Sequence, residues 1–252
     1  MIVGLNNTVL LRGTELTKKF INKDREMLAV NNVSFSLEEN EFLAIVGESG
    51  SGKSTLLKLV AGLERTDSGY LYYRDEEYTH CKCGYAGQFL QMVFQDAYSS
   101  FDPKMKVIDS IKECYKNSSM EELRRLLDAA ILDEALLYKR PRELSGGECQ
   151  RMSIVRALYS GARILLCDEI TSALDVSTQA QIVKAFKDIR EKRDFSAIFV
   201  SHDIALMGML CENIMVMKDG VCVEDGKMKD ILDNPSHEYT KLLIDNARKQ
   251  SF

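Results

Sequence analysis

The sequence predicts an α/β fold built on a mainly parallel sheet. Three short apolar runs, at residues 42–46, 164–167 and 197–200, are typical of strands buried on both faces. Residues 176–190, between the second and third runs, repeat apolar side chains at the period of an amphipathic helix. Buried strands that alternate with helices favour a parallel sheet.

Composition and charge narrow the class of protein. The 252 residues include 33 Lys and Arg against 38 Asp and Glu, which gives a net charge of −5. Proteins that bind nucleic acids in general are usually basic, and this chain has a net negative charge. We therefore expect no nucleic-acid partner. The apolar runs are far shorter than the roughly 18 residues that a membrane span needs. Seven scattered cysteines and no visible signal peptide favour a reducing cytosol.

Other segments give further local predictions. Residues 32–37 alternate apolar and polar side chains, which predicts a half-buried strand. Residues 53–63 have a helical pattern. Residues 104–137 lack glycine and predict two or three helices without a buried strand. Near the end, Asn234 and Pro235 suggest the N-cap and first position of the last helix.

A glycine-rich loop carries the strongest chemical signal. Residues 47–55 read GESGSGKST and match the pattern G-x4-G-K-[ST] between a predicted strand and a helix. Glycines let successive amides face phosphate oxygens, and the helix N-terminus adds a positive dipole end. Lys53 is expected to bridge the β- and γ-phosphates, and Ser54 to bind Mg²⁺. The predicted nucleotide-binding residues here are Gly47, Glu48, Ser49, Gly50, Ser51, Gly52, Lys53, Ser54 and Thr55.

Two carboxylates follow the buried run at residues 164–167. Asp168 is expected to hold Mg²⁺, and Glu169 to act as the general base toward an attacking water.

A second glycine pair lies upstream of these carboxylates. Ser145 and Glu148 form the S-x-x-E pattern of a capping box, which predicts a helix over residues 148–159. A helix start with two glycines is also typical of an anion site, so the Ser145 hydroxyl has two alternative roles. The segment comprises Leu144, Ser145, Gly146, Gly147 and Glu148.

These motifs, in this order, resemble those of the ATP-binding-cassette (ABC) ATPases. Residues 144–148 are similar to the family's LSGGQ signature, Gln95 to its Q-loop, and His202 to its switch histidine. Phe20 is similar to its adenine-stacking aromatic residue. The D-loop match comprises Ser172, Ala173, Leu174 and Asp175.

The resemblance implies a fold and a set of roles. It implies a P-loop NTPase (RecA-like) core with an antiparallel β subdomain (residues 1–95 and 151–252) and a helical subdomain at residues 96–150. Gln95 would contact Mg²⁺ and the attacking water, and His202 the γ-phosphate. Residues 144–148 would contact ATP held by a second ABC ATPase subunit, either an identical chain or a related one.

Residues 95–107, 167–177 and 234–243 resemble the oligopeptide, dipeptide and nickel importer group, with Ala97, Ile170 and Glu238 at positions where that group often has proline. The resemblance implies an ATP-hydrolysing importer subunit on the cytoplasmic face of the membrane. Its partners would be permease subunits and, indirectly, a solute-binding protein for peptides, nickel or metal chelates. The alternatives are an exporter or lipoprotein-releasing cassette, or a transport-independent ABC ATPase.

His80, Cys81 and Cys83 place three soft metal ligands within four residues. A zinc site usually has a second ligand pair, so an exposed polar turn is the preferred interpretation over metal binding.

Overall fold

The computed structural model describes residues 8–22, 25–81, 84–114, 119–172 and 174–250. It divides into two compact units, one of residues 1–88 and 196–252, the other of residues 89–195.

The first unit holds an antiparallel sheet near the N-terminus. Its strand order is β2-β1-β4-β5. The strands are β1 (Val9–Asn22), β2 (Arg25–Glu38), β4 (Ser68–Tyr73) and β5 (Glu76–Glu77). Val33, Phe35 and Leu37 of β2 are buried at alternate positions, which confirms the half-buried strand predicted for residues 32–37.

The same unit contains a second group of strands, in the order β10-β9-β3-β8. They are β3 (Phe42–Val46), β8 (Ser196–Ser201), β9 (Asn213–Lys218) and β10 (Val221–Lys227). Every residue of β3 is buried, and β3 runs parallel to both β8 and β9. Because Val46 pairs with both Ser201 and Val216, the loops that leave these three strands begin at one edge.

The described residues of the first unit also form four helices. They are α1 (Lys53–Val60), α6 (Ile204–Gly208), α7 (Met228–Asp233) and α8 (Glu238–Gln250).

The prediction that the last helix starts at Asn234 and Pro235 is wrong. Asn234 instead follows the end of α7, with φ −143°. The Glu224 carboxylate accepts hydrogen bonds from the amides of Ser236 (2.7 Å) and His237 (3.0 Å), which holds this segment outside the helix. Helix α8 starts at Glu238, and His237 Nδ1 accepts from the amide of Tyr239 at 3.1 Å as the cap.

The second unit combines a pair of parallel strands with helices. Strand β6 (Leu90–Val93) pairs in parallel with β7 (Ile164–Asp168), so Val93 lies opposite Cys167. The helices are α2 (Val107–Cys114), α3 (Met120–Ala129), α4 (Gly146–Tyr159) and α5 (Val176–Lys192). Within the described residues between β6 and β7, the regular elements are helices and 3₁₀ turns, as the composition of residues 104–137 predicts.

Candidate functional site

The phosphate loop joins β3 to α1. At two of its positions the neighbouring backbone leaves no room for a side chain, so these positions require glycine. A Cβ on Gly47 would lie 2.2 Å from the carbonyl oxygen of Met217, and one on Gly52 would lie 2.2 Å from that of Ala29. Gly52 also has φ +100°, a left-handed conformation that favours glycine. The loop is therefore packed directly on the backbone of its neighbours.

Lys53 is enclosed by this loop. Its side chain is 4% exposed, and Nζ donates to the carbonyl oxygens of Gly47 and Glu48, each at 2.7 Å. Nζ also lies 3.3 Å from Ser51 Oγ. The loop thus surrounds a buried ammonium group with oxygen acceptors.

His202 follows β8 at the edge where the phosphate loop leaves β3. Its side chain is exposed, and the next residue, Asp203, caps α6 by accepting from the Leu206 amide at 2.9 Å. The cap fixes the backbone immediately after His202. The histidine is thereby presented at the carboxyl edge of the parallel strands, where ligands bind in open α/β sheets.

Phe20 lies on β1 in the antiparallel sheet, opposite Met27 of β2. Its ring is half-buried, and Lys18 Nζ is 5.4 Å from the ring centroid. The Phe20 ring is thus partly accessible to solvent. Base stacking by Phe20 stays a prediction.

In the second unit, three of the predicted residues form a chain of hydrogen bonds. Gln95 Nε2 donates to Ser172 Oγ at 2.9 Å, and Ser172 Oγ donates to the carbonyl oxygen of Glu169 at 3.0 Å. This contact uses the side-chain amide nitrogen of Gln95, and the oxygen of the same amide is the atom of Gln95 that can accept hydrogen bonds. The Q-loop, the D-loop and the carboxylate pair are thus physically linked.

Asp168 ends β7, and Glu169 follows it with φ +47°. A positive φ is uncommon for a residue with a side chain, and such conformations cluster at functional sites. The turn bends the chain directly after the strand. The D-loop residue Ala173 lies outside the described residues.

The signature segment is a complete capping box. Ser145 is the N-cap of α4, its amide donates to Glu148 Oε2 at 2.8 Å, and the Glu148 amide donates back to Ser145 Oγ at 3.3 Å. The Glu148 carboxylate also accepts from the Ser145 hydroxyl at 2.8 Å, and the hydrogen bonds from the Ser145 amide and hydroxyl hold the pKa of Glu148 below its ordinary value, against the effect of burial. The capping prediction is confirmed; a phosphate contact by Ser145 stays a prediction.

Close packing and hydrogen bonds hold Leu144 and Gly147 of the signature and Asp175 of the D-loop. A Cβ on Gly147 would lie 2.5 Å from the Thr178 side chain of α5, which explains the second glycine. Asp175 caps α5 through the amide (3.0 Å) and hydroxyl (2.7 Å) of Thr178, and these bonds lower its pKa. Leu144 is buried, and its carbonyl accepts from the Tyr98 hydroxyl at 2.8 Å.

The exposed polar turn preferred for residues 80–83, and the alternative of metal binding there, both stay predictions. His80 and Cys81 are described, whereas Cys83 lies outside the described part of the chain. Within the described ranges, no group of three His, Cys, Asp or Glu side chains is arranged to hold a metal ion.

The sequence model of the ABC transporter family matches residues 30–172, more than half of the chain. This chain belongs to the ABC transporter family.

Curated relatives agree with this assignment. The oligopeptide transport ATP-binding protein OppF of Lactococcus lactis is 37% identical over 86% of this cassette and 72% of the relative. The dipeptide transport ATP-binding protein DppF of Haemophilus influenzae is 34% identical over 94% of the cassette and 78% of the relative. The cassette is thus similar along most of its length to ATP-binding proteins of peptide transport.

Solved structures show the same fold. A dimeric ATP-binding cassette in a post-hydrolysis state, bound to ADP and phosphate, is 27% identical and superposes with a TM-score of 0.76. The match covers 87% of this cassette and 99% of that chain. The fold is therefore the predicted P-loop NTPase core with an antiparallel β portion and a helical portion, and the cassette is an ATP-binding, ATP-hydrolysing protein.

No helix among the described residues of the cassette has the length and apolar character of a membrane span.

Two residues that form hydrogen bonds with the phosphate loop were not predicted as site residues from the sequence. The amide of Gly220, in the turn between β9 and β10, donates to the Ser51 carbonyl at 3.1 Å. The hydroxyl of Tyr239 accepts from the Glu48 amide at 2.9 Å. Both lie far from residues 47–55 in sequence, and no local pattern connects them to the loop.

Proposed function

We propose that this cassette is the ATP-hydrolysing subunit of a peptide importer. The observation that carries the proposal is its similarity, over most of the chain, to ATP-binding proteins of oligopeptide and dipeptide transport. The peptide-importer pattern in residues 95–107 and 234–243 supports the same group.

In the proposed nucleotide site, the adenine base of ATP would stack on Phe20. Amides of residues 49–55 would hold the phosphates, with Lys53 between the β- and γ-phosphates and His202 on the γ-phosphate. The proposed organisation is a single ABC ATPase domain with a core of residues 1–95 and 151–252 and a helical subdomain of residues 96–150.

The predicted metal ligands Ser54, Asp168 and Gln95 all offer oxygen donors, which suit Mg²⁺. Ser54 offers a hydroxyl, Asp168 a carboxylate, and Gln95 the amide oxygen that its contact with Ser172 leaves for a ligand. Hard oxygen donors of this kind are those that Mg²⁺ prefers. When bound, the ion would neutralise phosphate charge in the site.

Glu169 would act as the general base. It would accept a proton from water while the water oxygen forms a bond to the γ-phosphorus and the bond to the β-phosphate oxygen breaks, which leaves ADP and phosphate. The link from Gln95 through Ser172 to the Glu169 carbonyl would make this turn sensitive to the Q-loop position.

The proposed assembly is a dimer with two ATP molecules at the interface. Residues 144–148 of one subunit would face the γ-phosphate held by its partner. The similar cassette that is dimeric with ADP and phosphate bound supports the dimer itself. The helical subdomain and the Gln95 region would dock a cytoplasmic helix of permease subunits, which places the cassette peripherally on the cytoplasmic face of the membrane.

Reconstitution tests the proposal. The cassette would be co-expressed with the permease and solute-binding protein of a peptide importer from the same genome, and placed in proteoliposomes. We expect ATP hydrolysis to rise when the binding protein carries a peptide. Stimulation by a nickel complex alone, by an outward-moving substrate, or by DNA without membrane subunits would contradict peptide import and indicate the alternative classes.

A further inference from the structure

The first turn of the C-terminal helix reaches the phosphate loop. Tyr239 is 6% exposed, and its hydroxyl accepts a hydrogen bond from the backbone amide of Glu48 at 2.9 Å. The two residues are 191 positions apart in the sequence. Phosphate binding by residues 47–55 does not explain this contact, because the amide of Glu48 donates to a side chain of the protein.

The contact acts on one particular peptide unit. The N–H of Glu48 and the C=O of Gly47 belong to the same planar peptide bond, so fixing one fixes the direction of the other. The Gly47 carbonyl is an acceptor for Lys53 Nζ at 2.7 Å. Tyr239 and Lys53 therefore bind opposite ends of a single rigid group.

Tyr239 is itself held in place from several directions. Its amide donates to His237 Nδ1 at 3.1 Å, and the Glu224 carboxylate accepts from the preceding amides of Ser236 and His237. The Nζ of Lys218, at the end of β9, lies 5.0 Å from the centroid of the Tyr239 ring. The phenol is thus anchored to β10 and β9, both part of the unit that holds the loop.

We propose that Tyr239 is a positioning residue for Lys53: by holding the Gly47–Glu48 peptide, it sets where the loop presents the ammonium group to the nucleotide phosphates. The inference rests on the proposed nucleotide site. It makes the segment from Glu224 to Tyr239 a determinant of nucleotide affinity, although this segment lies outside the loop, the carboxylate pair and the signature.

The test measures ADP affinity by calorimetry, and KM and kcat for ATP hydrolysis, in the full chain and in its variants. Y239F removes the acceptor and retains the ring. We expect about five- to tenfold weaker ADP binding, the effect of losing one buried hydrogen bond. The KM for ATP should rise by a similar factor and kcat should change by less than about twofold, because Lys53 binds the phosphates before and during the reaction.

Two variants separate this effect from a general loss of stability. Y78F removes another buried hydroxyl of the same unit, which donates to the Val60 carbonyl at 3.1 Å, and should leave ADP affinity unchanged while lowering the unfolding midpoint. H237A retains the phenol but removes the cap below it, and we expect about two- to threefold weaker ADP binding.

K53A distinguishes the failure of this inference from the failure of the proposed function. If K53A loses ADP binding while Y239F binds ADP as the wild type does, the positioning role is wrong and the nucleotide site stands. If K53A binds ADP like the wild type, the proposed site fails and the inference fails with it. Equal losses in Y239F and Y78F would overturn the positioning role in favour of general stability.

Discussion

Glu169 combines a backbone turn of positive φ with a hydrogen bond from Ser172 to its carbonyl. Such a conformation is retained when neighbouring contacts hold it, and here the D-loop serine provides one. We assign Glu169 as the general base. Its backbone conformation, together with its place directly after β7, therefore determines the direction in which its side chain leaves the chain. Two predictions follow from this local geometry.

The first concerns the base itself. E169Q keeps the shape of the side chain but removes the proton acceptor, so we expect kcat to fall by about 10²–10⁴-fold. ATP binding should remain, because Lys53 and the loop amides are unchanged. Steady-state hydrolysis and calorimetric ATP binding check this, and turnover near the wild-type rate would exclude Glu169 as the base.

The second concerns Ser172. S172A removes the hydroxyl that links Gln95 to the Glu169 carbonyl, and we expect kcat to fall about three- to tenfold, the effect of losing one hydrogen bond of roughly 1 kcal/mol. The matched control is S160A in the same unit, whose hydroxyl donates to the Ala157 carbonyl at 2.7 Å at the end of α4. Equal hydrolysis rates in the two variants would contradict a role for this link.

Helix α4 shows how one element can serve both stability and a site. Its capping box satisfies two backbone amides at the helix start, one through the Ser145 hydroxyl and one through the Glu148 carboxylate. S145A should therefore lower the free energy of unfolding by about 1 kcal/mol, measured by urea denaturation. No change in stability would mean that the cap contributes nothing in solution.

The same box predicts a pH dependence. The pKa of Glu148 is lower in the folded chain than its ordinary value, so the charged carboxylate stabilises the fold above that ordinary value. This contribution is lost as pH falls through the lowered pKa. The stability difference between the wild type and E148Q should be largest near pH 7 and smaller below about pH 4. A difference that does not change with pH would contradict the charge effect.

Elements with strong local signals were predictable from sequence. The strands at residues 42–46, 164–167 and 197–200, the helix of residues 176–190 and the cap at Ser145 all depend on local patterns. The start of α8 was not predictable, because the Glu224 carboxylate, ten or more residues earlier, holds the segment that contains Pro235 outside the helix. The contact of Tyr239 with the phosphate loop is likewise a product of tertiary packing.

At the scale of the whole molecule, each unit carries part of the predicted machinery. The phosphate loop, Phe20 and His202 belong to one unit, and Gln95, the carboxylate pair and the signature belong to the other. The phosphate loop and the carboxylate pair were predicted from residue types that phosphate chemistry requires. The roles of Phe20, Gln95, His202 and the signature were predicted from the resemblance to the ABC ATPases, because these residues carry no such local pattern. Their use in an ATP-bridged dimer is the central claim of our account.

The mass of the E169Q variant in solution, with and without ATP, tests this claim most directly, beside E169Q combined with S145R. We expect ATP to convert E169Q to a dimer, alone or with the related ATPase encoded beside it, and to leave the double variant monomeric, because an arginine at residue 145 would disrupt the signature contact in trans. A monomer in every mixture, or equal dimerisation of the two variants, would contradict the account.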